Sequence, residues 1–293
     1  MTRTETTTTK TERRHHFLRT LALVVAVAAA LAMAFVGDVQ AKKRPPAPVP
    51  AQEGPIIAFT SSRDGNEEIY KMNEDGSNQT NLTNNAASDT QAAVSPDGTK
   101  IAFVRRDNEA TDTKEEIYMM DADTGDNQEN VTKNPAYDGQ PSFQPDGSTI
   151  AFTTDRDGNN EIYIVDTHGT YMSFNYTRNP AESDFGANWS TDGSNEFLAF
   201  TRSVYNQENG TYNYEVYEMG LAGQNQTNLT KNAAAHDLHP SYSGDGTKIA
   251  FTTNPNLNQD IYKMNRDGSS AVQLTTNSAS DSDPDWTKKA PSQ

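Results

Sequence analysis

One short apolar phrase recurs five times in these 293 residues, at 57–59, 101–103, 150–152, 198–200 and 249–251. Four copies read IAF and the fourth reads LAF, and consecutive copies start 44, 49, 48 and 51 residues apart. Each copy is followed by an IY-type phrase and an LT-type phrase, and a PDG-type turn precedes the next copy. Periods of this length mark modules that stack or repeat radially, because one module cannot bury both of its faces alone. The recurrence fills nearly everything after residue 55, so one large domain is expected rather than two.

Within a copy, short β-branched and aromatic runs alternate with Gly and Asp turns. The first copy reads as strands around 57–60, 68–72, 80–83 and 92–95, with Asp64-Gly65, Asp75-Gly76 and Asp97-Gly98 between them. In the third copy the same four fall at 150–153, 161–165, 174–177 and 187–190. Connections this short join antiparallel neighbours. No stretch of comparable length carries a sustained 3.6-residue apolar period. Four antiparallel strands per module predict an all-β chain, a five-bladed β-propeller. The aromatic series Phe143, Trp189, Tyr242 and Trp286, with Val94 in the first copy, is expected to fill the wedges between blades. The chain enters at the second strand of a blade and leaves on Pro284-Asp285-Trp286-Thr287, which has the form of a leading strand. The C-terminal strand is therefore expected to complete the first blade, leaving no exposed edge.

The N-terminus has a different character. Arg13, Arg14 and Arg19 precede a 16-residue apolar run at 21–36, and Val39-Gln40-Ala41 ends in small-residue form. Residues 1–41 read as an export signal cleaved after Ala41; retained, the same segment would act as a membrane anchor. A Pro-rich tether follows at 42–55, then the propeller at 56–288 and a tail at 289–293. The chain has 24 basic and 40 acidic residues, net charge −16. Five basic and three acidic groups leave with residues 1–41, so 19 basic face 37 acidic in the mature product, net −18. Such a surface disfavours nucleic acid. With no cysteine, packing and ladder hydrogen bonds must supply the stability.

SPDGTKIAF at 95–103, DRDGNNEIY at 155–163 and NLTKN at 228–232 resemble the WD40-like repeat of the TolB propeller family, and the likeness runs over about residues 55–288. The resemblance implies a propeller outside the cytoplasm, periplasmic or secreted. It also implies partners of the Tol type, a peptidoglycan-associated lipoprotein on the propeller and a Tol-system protein on the N-terminal segment. TolB itself has six blades and a preceding α/β domain, whereas five copies and a 14-residue tether are found here.

One acidic position recurs before each leading strand: Asp89, Asp138, Asp184, Asp237 and Asp281. In a closed ring these would gather near one mouth of the channel, where they could hold Ca2+ or a basic peptide. Alternatively, each accepts hydrogen bonds from its own turn. Two residues on, the copies diverge as Gln91, Gln140, Gly186, His239 and Asp283, and divergence at a mouth is where ligand specificity is expected. His236 and His239 lack a third ligand and are not assigned a metal. Asp155-Gly158 reads as a hairpin turn rather than a calcium loop. The NxT sequons at Asn81, Asn130, Asn175 and Asn228 share one repeat position and are explained by the repeat. The sequence contains no GxSxG elbow. The expected function is a monomeric, non-catalytic propeller that binds a protein or cell-wall glycan across the channel mouth. The alternative is a glycoside hydrolase using channel carboxylates.

Overall fold

In the computed structural model the described residues are 56–285, apart from 107–113, 169, 171, 191–195, 208–209, 233, 256–257 and 277. The expected signal and tether and the segment from Trp286 onward lie outside them. The first blade contains β1 (Ile56–Ser61), β2 (Glu68–Asn73) and β3 (Thr80–Asn81). The second contains β4 (Ser88–Val94), β5 (Lys100–Arg106), β6 (Glu115–Asp121) and β7 (Glu129–Asn130). The third contains β8 (Asp138–Phe143), β9 (Thr149–Thr154), β10 (Glu161–Asp166) and β11 (Ser173–Asn175). The fourth contains β12 (Asp184–Trp189), β13 (Phe197–Asn206), β14 (Thr211–Gly220) and β15 (Thr227–Asn228). The fifth contains β16 (Asp237–Tyr242), β17 (Lys248–Thr253), β18 (Asp260–Asn265) and β19 (Val272–Gln273). Every sheet pairs its strands in sequence order and antiparallel, and together they form the five-bladed propeller that the period predicts.

The recurring turn residues are the fasteners of each blade. In the PDG turn, Gly98 takes φ 71° and its N–H reaches Ser95 O at 2.8 Å, closing the β-turn. The Asp97 carboxylate accepts from the Ser95 hydroxyl (2.7 Å) and from Thr99 N–H and hydroxyl (3.0 and 2.9 Å). Asp245 repeats the arrangement with Ser243 and Thr247, and those hydrogen bonds hold it down at about 2. In the LT phrase the Thr hydroxyl accepts from the third strand, as Thr83 does from Ile69 N (3.0 Å), and donates to the buried Glu68 carboxylate. Thr132 with Glu116 and Thr177 with Glu161 repeat it. The sequon asparagines cap the same turn: Asn130 Oδ1 accepts from Thr132 N (3.0 Å) and Lys133 N (2.8 Å). A turn requirement thus accounts for the recurring NxT.

The core lies between blades, not within them. One cluster joins Val104, Ile117 and Val131 of the second blade to Phe143, Ile150 and Phe152 of the third. The next joins Ile162 and Ile164 to Trp189, Leu198 and Phe200, and another joins Ala199 and Val216 to Tyr242, Ile249 and Phe251. Phe143, Trp189 and Tyr242 are buried wedge residues, as the repeat predicts. The segment expected to complete the first blade begins in the corresponding place. Asp281 N–H bonds Gln259 O at 2.7 Å, as Asp89 N–H bonds Glu67 O (2.8 Å) and Asp184 N–H bonds Asn160 O (2.7 Å). Its continuation through Trp286 lies outside the described residues.

Candidate functional site

The two recurring positions picked out in the sequence separate into a buried layer and a lining layer. Asp89, Asp138 and Asp184 are fully buried, and Asp237 is 2% exposed. In three blades an arginine from the adjacent strand or its turn meets the aspartate. Arg105 forks onto Asp89 with two 2.7 Å contacts, and Arg202 onto Asp184 at 2.6 and 2.7 Å. Arg156 reaches Asp138 at 2.9 Å through one nitrogen. Each guanidinium also lies over a Phe–Tyr pair: Phe103 and Tyr118, Phe152 and Tyr163, Phe200 and Tyr217. Arg63 lies likewise over Phe59 and Tyr70 in the first blade. Burial raises the pKa of Asp138, and it lifts Asp184 to about 6 against the opposing pull of Arg202.

These arginines are the feature that sequence reasoning missed. Their signature is an Arg two or four residues past the repeating Phe: Arg105 and Arg202 at two, Arg63 and Arg156 at four. The alternating offset hides the recurrence from a fixed-spacing comparison. In the fifth blade the same two positions are Thr253 and Pro255, and Asp237 has no arginine. Its Oδ1 is buried with no hydrogen-bond partner. Burial, opposed by a bond from Thr253 and reinforced by the charge of Glu215, pushes Asp237 up to about 7.

The second layer is a ring of bulge residues. Each described leading strand breaks register, between Thr90 and Ala93, Gly139 and Ser142, Phe185 and Asn188, and Leu238 and Ser241. The residue at the break is left-handed every time: Gln91 (φ 54°), Gln140 (55°), Gly186 (65°) and His239 (51°), with Asp283 (55°) in the C-terminal segment. Neighbouring blades accept four of these five backbone N–H groups, those of Gln140, Gly186, His239 and Asp283. Gly186 N–H bonds Thr153 Oγ1 (3.2 Å) and Gln140 Oε1 (3.0 Å). His239 N–H bonds Thr201 Oγ1 (3.1 Å), and Asp283 N–H bonds Thr252 Oγ1 (3.0 Å). Where Val104 replaces that threonine, Gln91 Oε1 accepts from Gln140 N–H at 2.7 Å instead. His239 Nδ1 stands 2.6 Å from Asp283 Oδ1.

The structure therefore brings Gln91, Gln140, Gly186, His239 and Asp283 together as a chain of neighbours. A Cβ on Gly186 would lie 3.7 Å from His239 and 3.9 Å from Gln140, so this glycine is a gap between two side chains. Asp281 stands half-buried two residues before Asp283. His236 is directed elsewhere, its ring 5.1 Å from that of Tyr214. Among the described residues there is no group of three or more potential metal ligands. A further surface feature has no counterpart among the described residues of the other repeats. The β13–β14 hairpin continues four residues past Arg202, and its exposed Tyr205 and Tyr212 have ring centroids 5.1 Å apart.

Radially repeated four-stranded blades with inter-blade cores and left-handed residues in the leading strands define a five-bladed β-propeller. Comparison with known proteins finds a likeness to TolB β-propellers. The family profile described as the TolB beta propeller domain matches residues 108–213. Tol-Pal system protein TolB of Francisella tularensis subsp. tularensis (strain WY96-3418) is 28% identical over 227 residues, 77% of this chain and 49% of the relative. A Protein TolB homolog of Chlorobaculum tepidum is 48% identical over 50 residues, 17% of this chain and 12% of the relative. The chain thus spans about half the length of the Francisella relatives it matches. Among solved structures, the putative TolB from Agrobacterium tumefaciens superposes with a TM-score of 0.59 at 21% identity, covering 75% of this chain and 79% of that one. A puromycin-hydrolyzing peptidase of Mycobacterium tuberculosis reaches 0.59 at 15% identity, over 82% of this chain and 39% of its own. These structural likenesses establish the fold, which hosts unrelated activities.

Proposed function

We propose that this chain is an exported, non-catalytic propeller that binds a protein partner of the cell envelope across the bulge ring. The observation that carries the reading is the ring itself. Five positions share one left-handed backbone geometry, four of them held by inter-blade hydrogen bonds from their N–H groups, yet they present two glutamines, a gap, a histidine and a carboxylate. A rigid frame with unlike side chains is the form a recognition surface takes. The relatives named as Tol-Pal system proteins support a protein partner, and the signal-like pattern of residues 1–41 supports a place outside the cytoplasm. A net charge of −16, or −18 with residues 1–41 removed as expected, favours a basic or neutral partner. The tyrosine hairpin extends the same end of the fourth blade and adds amphipathic contact area.

Raised pKa values often mark catalytic acids, and Asp184 and Asp237 have them. Both carboxyls are shut off from solvent, so burial accounts for the shifts, and no observation favours the glycoside hydrolase reading. The test is partner capture from the native envelope by the wild type and by Gly186→Gln, which closes the gap in the ring. A left-handed non-glycine costs roughly 1 kcal/mol here, and four other ring positions already tolerate it. A folded Gly186→Gln that loses a partner retained by the wild type is expected. Unchanged capture by Gly186→Gln, and by a His239→Ala Asp283→Asn double variant, would refute the ring as the binding surface.

A further inference from the structure

We propose that the fifth blade holds an arginine seat with no arginine of its own, and that it takes the guanidinium group of a partner protein's arginine. The acceptor half of a motif used in the other blades is retained there. The ring centroids of Phe251 and Tyr262 are 6.1 Å apart, against 5.7, 5.9, 6.0 and 5.8 Å for the four pairs that carry an arginine. Those arginines lie 5.2–5.4 Å from the Phe centroid and 4.4–4.7 Å from the Tyr centroid. Asp237 pairs in register with Thr253, as Asp89 pairs with Arg105 and Asp184 with Arg202. The donor half is missing: Thr253 and Pro255 occupy both positions from which other blades send their guanidinium.

A second observation points the same way. Asp237 is 2% exposed, and its Oδ1 lacks any hydrogen-bond partner, whereas the forked arginines take both oxygens of Asp89 and Asp184 and the single-toothed Arg156 takes one oxygen of Asp138 and leaves its Oδ2 without a partner. A buried carboxylate oxygen left in that state is costly, and a planar two-toothed donor with an aromatic-compatible face removes the cost. The resident arginines show that such a seat reaches the surface, since their side chains remain 8–12% exposed. In the fifth blade the turn position that supplies Arg63 and Arg156 elsewhere is the exposed Pro255, so that edge offers the route of entry. Lysine would not serve equally: it cannot fork onto a carboxylate or stack a planar group on two rings.

The source of the arginine rests on the partner-binding reading, but the seat can be tested without any partner. N-acetyl-L-argininamide is titrated at pH 8 into the whole mature chain bearing 13C-labelled tyrosine, with Tyr262 assigned through Tyr262→Phe. A saturable shift of the Tyr262 ring signals is expected, with N-acetyl-L-lysinamide weaker by about tenfold or more. The response should vanish in Asp237→Asn, and in Thr253→Arg, which supplies the guanidinium from the position used by Arg105 and Arg202. No saturable shift in the wild type, or an undiminished one in Asp237→Asn, would overturn the proposal. Absence of this shift removes the seat and leaves the bulge ring standing; an intact shift with partner capture indifferent to ring variants does the reverse.

Discussion

Replacing Asp237 by Asn should make this protein more stable at neutral and alkaline pH. The carboxyl is buried, lacks an arginine, and sits near the Glu215 charge, which pushes it up to about 7 from an ordinary 3.8. A raised carboxyl means that the folded state keeps the proton while the unfolded chain gives it up. The stabilisation from this group is therefore complete below about pH 4 and is lost as pH climbs through about 7. A displacement of about three pH units corresponds to a loss on the order of 4 kcal/mol, all of it present by pH 8. Asn has the same shape and can still accept from Thr253, but it does not ionise. Chemical denaturation of both proteins at pH 4, 5, 6, 7 and 8 isolates the effect, because every other group titrates alike in the two. Asp245 and Asp157, held low by hydrogen bonds, contribute the opposite slope in both: stability present above about pH 4 and lost on acidification. The difference between the two curves should be near zero at pH 4 and grow to several kcal/mol in favour of Asp237→Asn by pH 8. In thermal melts this amounts to roughly 8–16 °C for a domain of this size. Parallel curves, or a less stable Asp237→Asn at pH 8, would refute the reading of this carboxyl as buried and uncompensated.

Arg202→Ala should cost about 3–5 kcal/mol by leaving Asp184 buried and unpaired, and adding Asp184→Asn should recover most of it in denaturant titrations. Gln91→Ala should cost about 1 kcal/mol by orphaning Gln140 N–H, and less than half of that in a Val104→Thr background, where a threonine hydroxyl can accept as Thr153 does for Gly186. Trp189→Ala, which empties the wedge between the third and fourth blades, should cost about 3–5 kcal/mol in equilibrium unfolding.

The blades were legible because turn chemistry is local. Asp97-Gly98 and its copies need one left-handed glycine and one short acceptor, and both are visible in the sequence wherever they occur. The wedge residues Phe143, Trp189 and Tyr242 were legible for a similar reason, since packing demands bulk at one position per blade. The two layers of the site were only half legible. Recurrence located Asp89, Asp138, Asp184 and Asp237, but a sequence does not show that a bulge two residues later turns the strand and encloses them. The left-handed position is occupied by Gly186, His239 and Asp283, which tolerate positive φ, but also by Gln91 and Gln140, which have no particular liking for it, so no one residue type marks it. The arginines were hidden by geometry: a guanidinium reaches the same carboxylate from the strand, as Arg105 does, or from the turn beyond, as Arg156 does. The missing arginine of the fifth blade became informative only once the other four had been seen in place.

The central claim is that partners meet this propeller at the bulge ring. It is tested most directly by placing a photoreactive amino acid at Gln91, or for comparison at the exposed Asp123 far along the same blade, in the full chain expressed in its native envelope. Illumination followed by mass spectrometry should yield one recurrent protein adduct from position 91, lost when Gly186→Gln is added, and none of it from position 123. Adducts that form equally at both positions, or only at 123, would contradict the account.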